Sequence, residues 1–288
     1  MGYIKDAVSL LPLFIKPSKG KASAIYDILS TNNVIGEKSL YLNLGFWEGG
    51  EKTYDEACEK LAKVLADAVG LKAGEDHLDV GFGFGDQDMY WARAYSPRRI
   101  VGLNITRSQV EKARERVKEC GLENQVDLRE GSATDMPLED SSFDRVTALE
   151  TAFHYNTRAD FFKEAYRVLR PGGRIGTADI VPLVKSGFNI AECVRMYLAR
   201  SFWQIPAENM YTEEVYRNKM KEAGFKNIEI RSIAASVYKP LSKFLKTRLY
   251  EKDIVERTDP LILTAYRKSM QDTHSWNSFD YIIATGEK

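Results

Sequence analysis

Apolar residues follow two alternating spacings along the middle of the chain, and this pattern predicts helices and strands in turn. Thr53 and Glu56 have the spacing of a capping box, and apolar residues then recur at helical intervals up to Gly70. Residues 77–80 are predicted to form a short buried strand that runs into glycines. Further helices are predicted over residues 89–94, 106–120 and 159–169. Further strands are predicted over residues 99–103, 126–128, 143–149 and 174–179.

This order of elements predicts an α/β fold, with a parallel sheet covered by helices on both faces. We divide the chain into an N-terminal lid or cap segment, a core and a C-terminal part, over residues 1–52, 53–181 and 182–288. In the last part, residues 225–235 and 279–285 are predicted strands. Helical insertions at about 183–224 and 236–278 are expected to form a lid over a binding crevice.

The composition is that of an ordinary globular protein. Of 288 residues, 44% are apolar, and 41 Lys and Arg residues balance 41 Asp and Glu residues. A neutral chain gives no overall electrostatic support for binding nucleic acid, so we expect no nucleic-acid partner.

The cysteines and the N-terminal segment favour a cytoplasmic protein without membrane insertion. Cys58, Cys120 and Cys193 are far apart in the sequence and form no CxxC or Cys/His cluster, so we expect neither a metal site nor a disulfide framework. The apolar run near the start is broken by Pro12 and is too short to span a bilayer. We interpret it as a segment packed on the chain's own body, with contact to a membrane surface as the alternative.

A glycine-rich loop follows the first predicted strand, with glycines at positions 81, 83 and 85. Glycines there let the backbone turn tightly and approach a ligand closely. The third glycine comes one position too early for a dinucleotide fingerprint, and Asp86 follows it. A carboxylate is unfavourable where a pyrophosphate would approach, whereas a cationic ligand would be attracted. The loop therefore favours a positively charged cofactor over a dinucleotide.

At this point the chain resembles the class I S-adenosylmethionine (SAM) dependent methyltransferases. The segments that carry the resemblance are LDVGFGFG at 78–85, PLEDSSFD at 137–144, RVTALE at 145–150 and RVLRPGG at 167–173. The resemblance implies a Rossmann-like sheet of seven strands and SAM as the cofactor. LNLGFW at 42–47 is similar to a subset that methylates small molecules, including sugar O-methyltransferases and tocopherol- or sterol-type C-methyltransferases.

The resemblance also implies which residues bind the cofactor. Asn104 stands where most relatives carry an acidic residue for the ribose hydroxyls, and Ser132 stands where Asp is usual near the adenine. Both replacements are neutral, so their hydrogen bonds should be weaker than charge-assisted ones. The expected cofactor-binding residues are Asp79, Gly81, Gly83, Gly85, Asn104, Ile105, Gln109, Ser132, Ala133, Thr134, Glu150, Tyr26, Tyr41 and Trp47. The aromatic ones among them would contact the sulfonium or simply pack the lid.

Methyl transfer to a hydroxyl benefits from a general base. His154 follows the fourth predicted strand and Asp179 ends the fifth, so both lie at the crevice side of the sheet. By resemblance to sugar O-methyltransferases, His154 is the candidate base and Asp179 its orienter; the alternative is that both are structural. The candidate acceptor-binding residues are Tyr155, Trp203, Tyr238, His274 and Trp276, with His274 also a second candidate base.

The leading functional hypothesis is O-methylation of a small natural product. Many aromatic residues in the predicted lid favour an apolar or aromatic acceptor. Five basic residues between Lys239 and Lys252 are expected to be a solvated helix face, with binding of a diphosphate or acidic acceptor as the alternative. C-methylation of a prenyl, quinone or sterol-like acceptor is a second hypothesis, and a non-catalytic SAM-binding regulator or partner subunit is a third. The sequence leaves open whether the chain forms a homodimer.

Overall fold

A computed structural model describes residues 35–183, 196–197, 200–201, 203–258, 260, 263–264, 267 and 278–288. The helices whose bounds it gives are α1 (Tyr54–Val69), α2 (Asp86–Tyr95), α3 (Arg107–Glu119), α4 (Arg158–Val168), α5 (Glu213–Glu222), α6 (Ala234–Arg248) and α7 (Lys252–Arg257). The strands are β1 (Asp76–Val80), β2 (Arg99–Asn104), β3 (Val126–Glu130), β4 (Phe143–Leu149), β5 (Leu169–Pro182), β6 (Lys226–Ser232) and β7 (Phe279–Glu287). There are two 3₁₀ turns: Ala152–His154 follows β4, and Ala207–Asn209 precedes α5.

The strands form one seven-stranded sheet in the order β3-β2-β1-β4-β5-β7-β6. β1 pairs in parallel with β2 and β4, and β7 is antiparallel to both β5 and β6. The chain reverses its strand order on either side of β1, which opens a crevice at the carboxyl ends of β1, β2 and β4. The predicted Rossmann-like sheet is confirmed.

Helices cover both faces of this sheet, and each face has its own apolar core. Buried residues of α1, α2, α3 and α6 form one core cluster, and those of α4 and α5 form a second with side chains from β1 and β4. Because parallel strands are buried on both faces, all five residues of β1 are buried.

The ends of α1 follow the sequence signals closely. The Thr53 hydroxyl accepts a hydrogen bond from the Glu56 amide at 3.1 Å. Gly70 ends the helix in the left-handed conformation, with φ of 66°, and its amide bonds back to the last turn. Here local chemistry alone determined where the helix begins and ends.

Several element bounds differ from the sequence prediction, and the main differences are at α2, between α4 and β5, and at β6. α2 begins at Asp86 instead of 89, because Gly85 takes a left-handed conformation and caps it directly. α4 ends at Val168, and β5 begins at once with Leu169, which pairs with Phe143. β6 ends at Ser232, and the predicted strand residues beyond it belong to α6. Within the described ranges, a search for helices of sufficient length and apolarity to cross a bilayer finds none.

Candidate cofactor and acceptor site

A cavity of about 750 Å³ opens at the carboxyl ends of β1, β2 and β4. Small-molecule sites typically measure roughly 300–1,000 Å³, so it has room for a cofactor and part of an acceptor. One group of wall residues comes from the glycine loop, the ends of β2 and β4, and residues 131–134. Residues 154–157 and 204–208 form a second group, joined by the contact of His154 with Gln204, and residues 40–43 also line the cavity. We call the first group the cofactor side and the second the acceptor side.

The glycine loop turns so tightly that a side chain would not fit at its first glycine. Gly81 has φ of 81°, and a Cβ there would lie 2.2 Å from the Thr151 hydroxyl oxygen. Its amide instead donates to the carbonyl of Leu103 at 2.6 Å. Gly81 and Gly83 line the cavity, as predicted residues of the cofactor site, whereas Gly85 is the cap of α2 and lies outside the cavity wall.

Asp79 lies beneath this loop and does not reach the cavity. Its carboxylate accepts hydrogen bonds from the Thr147 hydroxyl at 2.9 Å and from the Gln87 side-chain amide at 3.1 Å. Burial raises the pKa of Asp79 to about 7, because the charged form is poorly solvated there. His77, expected to be structural, is fully buried and bonds Thr147 from the other side at 2.8 Å.

The end of β2 presents amide side chains to the cavity. The Asn104 side chain donates to the Gln109 carbonyl oxygen at 2.9 Å and accepts from the Thr106 amide at 3.3 Å. Ile105 beside it is 64% exposed, an unusual amount for an isoleucine on a cavity wall. This arrangement offers polar groups for hydroxyls next to an apolar surface for a flat ring.

The loop after β3 supplies the wall at residues 131–134. The Ser132 hydroxyl accepts from the Thr134 amide at 3.2 Å and lies 3.2 Å from the Thr134 hydroxyl. Ser132, Ala133 and Thr134 all line the cavity. Ser132 therefore shapes its own loop as well as the wall.

The chain before α1 contributes Tyr41 but not Trp47 to the cavity. Tyr41 is a buried wall residue. The Trp47 indole donates to the Leu44 carbonyl at 3.1 Å and packs against Phe244 of α6, with ring centroids 4.8 Å apart. Trp47 is thus placed in the core, which is the packing alternative to the predicted cofactor contact. Tyr26 lies outside the described residues.

Glu150, directly after β4, holds three parts of the chain together at the cavity wall. Its Oε2 accepts from the Leu44 amide and from the Tyr281 hydroxyl, both at 2.7 Å. Its backbone is in the left-handed region, with φ of 55°, which favours glycine. Burial, followed by the charge of Asp179, raises the pKa of Glu150 to about 8 despite these hydrogen bonds. A neutral acid therefore predominates at this wall near pH 7.

His154 lies on the opposite side of the cavity, at the end of the 3₁₀ turn after β4. Its ring packs against that of Phe153 with centroids 4.1 Å apart and planes tilted by 48°, and it is hydrogen-bonded to the backbone of Gln204. Burial, together with the nearby Arg158 charge, lowers the pKa of His154 to about 4, although the Gln204 hydrogen bond opposes this shift. The imidazole is neutral at pH 7 and so able to accept a proton.

Asp179, the predicted orienter of His154, has other partners. The Arg158 guanidinium donates to both of its oxygens, at 2.8 and 3.1 Å. The Tyr216 hydroxyl and the Ile180 amide donate at 3.1 and 2.8 Å. Asp179 and Arg158 are both fully buried. The sequence pattern could not reveal this pairing, because Arg158 and Asp179 meet only when α4 packs beside β5.

Comparisons with known proteins agree with this geometry. A family model described as a methyltransferase domain matches residues 78–176. The chain is 34% identical to erythromycin 3''-O-methyltransferase from Saccharopolyspora erythraea over 281 residues, which cover 95% of this chain and 92% of that protein. The fold also resembles that of the cyclopropane synthase MmaA2 from Mycobacterium tuberculosis, with a TM-score of 0.75 and 17% identity over 89% of this chain and 93% of that one.

The chain is a class I SAM-dependent methyltransferase.

Two further similarities are one to a shorter stretch of sequence and one to a fold. A stretch covering 58% of this chain and 60% of the relative is 33% identical to 27-O-demethylrifamycin SV methyltransferase from Amycolatopsis mediterranei. The [4+2]-cyclase SpnF has a TM-score of 0.72 at 22% identity, covering 95% of this methyltransferase and 97% of the cyclase. At that identity the likeness shows the fold alone.

The residues around the cavity fit SAM. Within the described ranges, the carboxyl group of Glu150 receives hydrogen bonds from the uncharged Leu44 amide and Tyr281 hydroxyl, so a bound sulfonium would supply a cationic partner for it. Asn104 and Gln109 present polar groups, and Ile105 presents an apolar face. We expect these residues, with Gly81, Gly83 and the 132–134 loop, to hold the cofactor. Bound there, SAM supplies an electrophilic methyl group.

The predicted acceptor residues divide into three groups. Tyr155 lines the cavity, and its hydroxyl donates to the Val80 carbonyl at 2.9 Å. Trp203 and Tyr238 are not among the wall residues; both pack against the apolar core, Tyr238 beside Tyr281. His274 and Trp276 lie outside the described residues.

Sequence reasoning missed part of the acceptor side. Arg200, Gln204 and Glu208 line it, and Asn209 anchors it without reaching the cavity wall. The predicted acceptor lid at about 183–224 included this segment and Trp203, but no sequence signal singled out Arg200, Gln204, Glu208 or Asn209. The basic residues between 239 and 252 do not line the cavity: Lys239, Lys243, Lys246 and Lys252 are exposed, and Arg248 is paired with Glu251 and Asp253.

Proposed function

We propose that this methyltransferase transfers the methyl group of SAM to a hydroxyl of a small natural product, with His154 as the general base. The observation that carries the proposal is the position of a neutral imidazole on the acceptor side of the cofactor cavity. The similarity to an erythromycin 3''-O-methyltransferase over nearly the full length of both chains supports a hydroxyl acceptor.

His154 would act on the acceptor hydroxyl and would take no part in binding the cofactor. As the acceptor oxygen is methylated, the imidazole would take up the hydroxyl proton; bound SAM would supply the methyl group and would be released as the demethylated, neutral sulfide. The low pKa of His154 keeps the ring unprotonated at physiological pH, and it also makes the imidazole a weaker base than one in water. Its contact with Gln204 fixes the ring in one orientation.

The walls favour a neutral acceptor with several hydroxyl groups. Most of the acceptor-side wall is uncharged: Asn156, Thr157 and Gln204 present polar groups, and Pro206 and Ala207 add apolar surface. The two charged residues of this wall, Arg200 and Glu208, carry opposite signs. The lysines of α6 face away from the cavity, which argues against the diphosphate alternative. We expect a glycosylated or polycyclic compound rather than a strongly charged one, and we expect the protein to act on it in the cytoplasm.

The proposal is tested by replacing His154 with Ala and with Gln. SAM labelled with ¹³C in its methyl group is supplied with a panel of hydroxylated macrolides and glycosides, and products are detected by mass spectrometry. We expect the two variants to lose roughly 100- to 10,000-fold in turnover, the usual contribution of a general base. Binding of the demethylated cofactor, measured by calorimetry, should stay unchanged, because His154 is on the acceptor side.

Full turnover by both variants would refute His154 as the base. A wild-type protein that binds SAM but methylates none of the panel, even after the panel is widened to prenyl and quinone acceptors, would favour the non-catalytic alternative. A methyl group attached to carbon in the product would favour the C-methyltransferase alternative instead.

A further inference from the structure

The main chain on both sides of His154 is held by a single side chain. The Asn209 amide nitrogen donates to the carbonyl of Phe153 at 3.1 Å and to the carbonyl of Tyr155 at 2.9 Å. These are the residues immediately before and after His154. An amide group has two N–H bonds, so this one bridge uses its full donor capacity. Asn209 thereby fixes the turn that carries the proposed base.

Asn209 is in turn fixed by Arg158. The Arg158 backbone amide donates to the Asn209 side-chain oxygen at 2.9 Å, and the guanidinium donates to the Asn209 carbonyl. The same guanidinium forms the two-pronged contact with Asp179 and also donates to the Ile180 carbonyl at 2.7 Å. Asn209, Arg158 and Asp179 are all fully buried.

This chain of contacts is rigid for a physical reason. A buried guanidinium or carboxylate that loses a partner has no water to replace it, and breaking such a pair typically costs several kcal/mol. Tyr211 and Tyr216 flank the Arg158 guanidinium at 5.2 and 5.5 Å, which leaves it little freedom. Asn209 therefore cannot shift without breaking contacts that reach β5.

The segment that ends in Asn209 is also the acceptor-side wall. Residues 204–208 line the cavity just before it, and the Gln204 backbone contacts His154 itself. The bridge thus sets the position of the imidazole relative to the surface against which an acceptor would lie. In the described residues, the glycine loop and the ends of β2 and β3 make no hydrogen bond to Asn209 or Arg158, and the turn contacts the cofactor side through the Tyr155 hydroxyl, which donates to the Val80 carbonyl at 2.9 Å.

We propose that Asn209, locked by the Arg158–Asp179 pair, is a positioning residue that holds His154 against the acceptor wall without contributing to cofactor binding. This inference rests on the proposed role of His154. It also gives Asp179 an indirect part in positioning the base, through Arg158 and Asn209 rather than by direct contact with the imidazole.

The test measures the titration of His154 in Asn209→Ala and Asn209→Ser. The chain has only three histidines, so ¹³C-histidine NMR gives three resonances, and the His154→Gln spectrum assigns one of them. We expect the pKa of His154 to rise from about 4 by about one unit or more in Asn209→Ala, toward the ordinary value near 6.5 as water reaches the loosened turn. Asn209→Ser, which retains one donor, should give a smaller rise. His77 serves as the internal control, and the exposed Asn124→Ala is the matched variant.

Binding of the demethylated cofactor should be unchanged in both Asn209 variants. With a methylated acceptor in hand, turnover should fall while the KM for SAM stays constant. If His154 titrates as in wild type in either folded variant, the positioning role is refuted, and so it is if cofactor binding falls in parallel with turnover. The titration needs no acceptor, so its failure is distinct from a failure of the proposed O-methylation, which only product analysis detects.

Discussion

At the scale of single residues, the cavity is unusual in the charge state of its acids. Glu150 is stabilised in its protonated form by burial, although it accepts two hydrogen bonds. Asp79 beneath the glycine loop has a pKa raised to about 7 for the same reason. Such protonation is expected of carboxyl groups in a site that binds a cation. A bound positive charge favours the ionised carboxylate, so without the cation the carboxyl group keeps its proton.

We therefore expect SAM binding to be linked to proton release from Glu150. Below pH 8 the carboxyl group is mainly protonated, and a sulfonium must displace that proton, so affinity for SAM should rise between pH 6 and 8 and level off above 8. Calorimetry across this range would measure it. The groups that also act on Glu150 are Tyr281, Tyr238, Cys58 and Asp179.

Glu150→Gln is the matched variant, because glutamine has nearly the same shape as glutamate but does not titrate. The affinity of this variant for SAM should depend less steeply on pH, and the dependence that remains would be due to Asp79. The affinity of the wild type for the demethylated cofactor, whose sulfur is neutral, should also depend less steeply on pH. Equal slopes for the two cofactor forms, and for wild type and variant, would contradict the linkage.

At the scale of elements, α2 contains an acidic side chain without stabilising contacts. Asp88 is fully buried, and no other residue of the described chain donates a hydrogen bond to either of its oxygens. Burial, and then the charge of Asp79, raises its pKa well above 3.8. The folded protein thus binds a proton that the unfolded chain has already released above about pH 4, and stability falls as pH rises from there.

Replacing Asp88 with Asn should accordingly stabilise the protein, and more so at pH 8 than at pH 5. We expect a gain of about 0.5–2 kcal/mol at pH 8, the usual size of a single stabilising substitution, because burial and the Asp79 charge disfavour the ionised carboxylate. Urea unfolding at both pH values measures it, with the exposed Asp127→Asn as control. A variant that is less stable than wild type at pH 8 would show that the Asp88 carboxylate has a stabilising partner.

The sequence predicted those elements whose cause is local. The capping residues of α1, the glycine loop between β1 and α2, and the wall residues Asn104 and Ser132 follow from short patterns, and the structure places them as expected. Asn209 and Arg158 could not be found in this way. Their role arises from contacts between residues about 50 positions apart along the chain, and neither lies in a recognisable motif.

Aromatic residues were the least predictable part of the site. Aromatic residues are common in binding pockets, yet three of those predicted for the site pack against the core: Trp47, Trp203 and Tyr238. A large apolar side chain gains a similar free energy from burial against a ligand or against its own protein. Composition therefore predicts that such residues will be buried. Only the three-dimensional arrangement shows whether they pack against a ligand or against the protein core.

At the scale of the whole molecule, the sheet order places the cavity where β1 meets its two neighbours, and the chain on either side of the core supplies the covering segments. The predicted division at residues 52 and 181 stays a prediction, and so does a homodimer. The described part of the first segment, through Leu44 and Glu150, joins the core at the cavity wall. Closure of the first segment over a cofactor would therefore involve the contact of Leu44 with Glu150, whose protonation depends on the cofactor's charge.

The central claim is methyl transfer from SAM to oxygen. The most direct measurement is ¹³C NMR of the product formed from methyl-labelled SAM and a hydroxylated acceptor, with the demethylated cofactor quantified in the same reaction. The account predicts one labelled methyl group per product, bonded to oxygen, and an equal amount of demethylated cofactor. A labelled methyl group on carbon or nitrogen, or cofactor turnover without a methylated product, would contradict it.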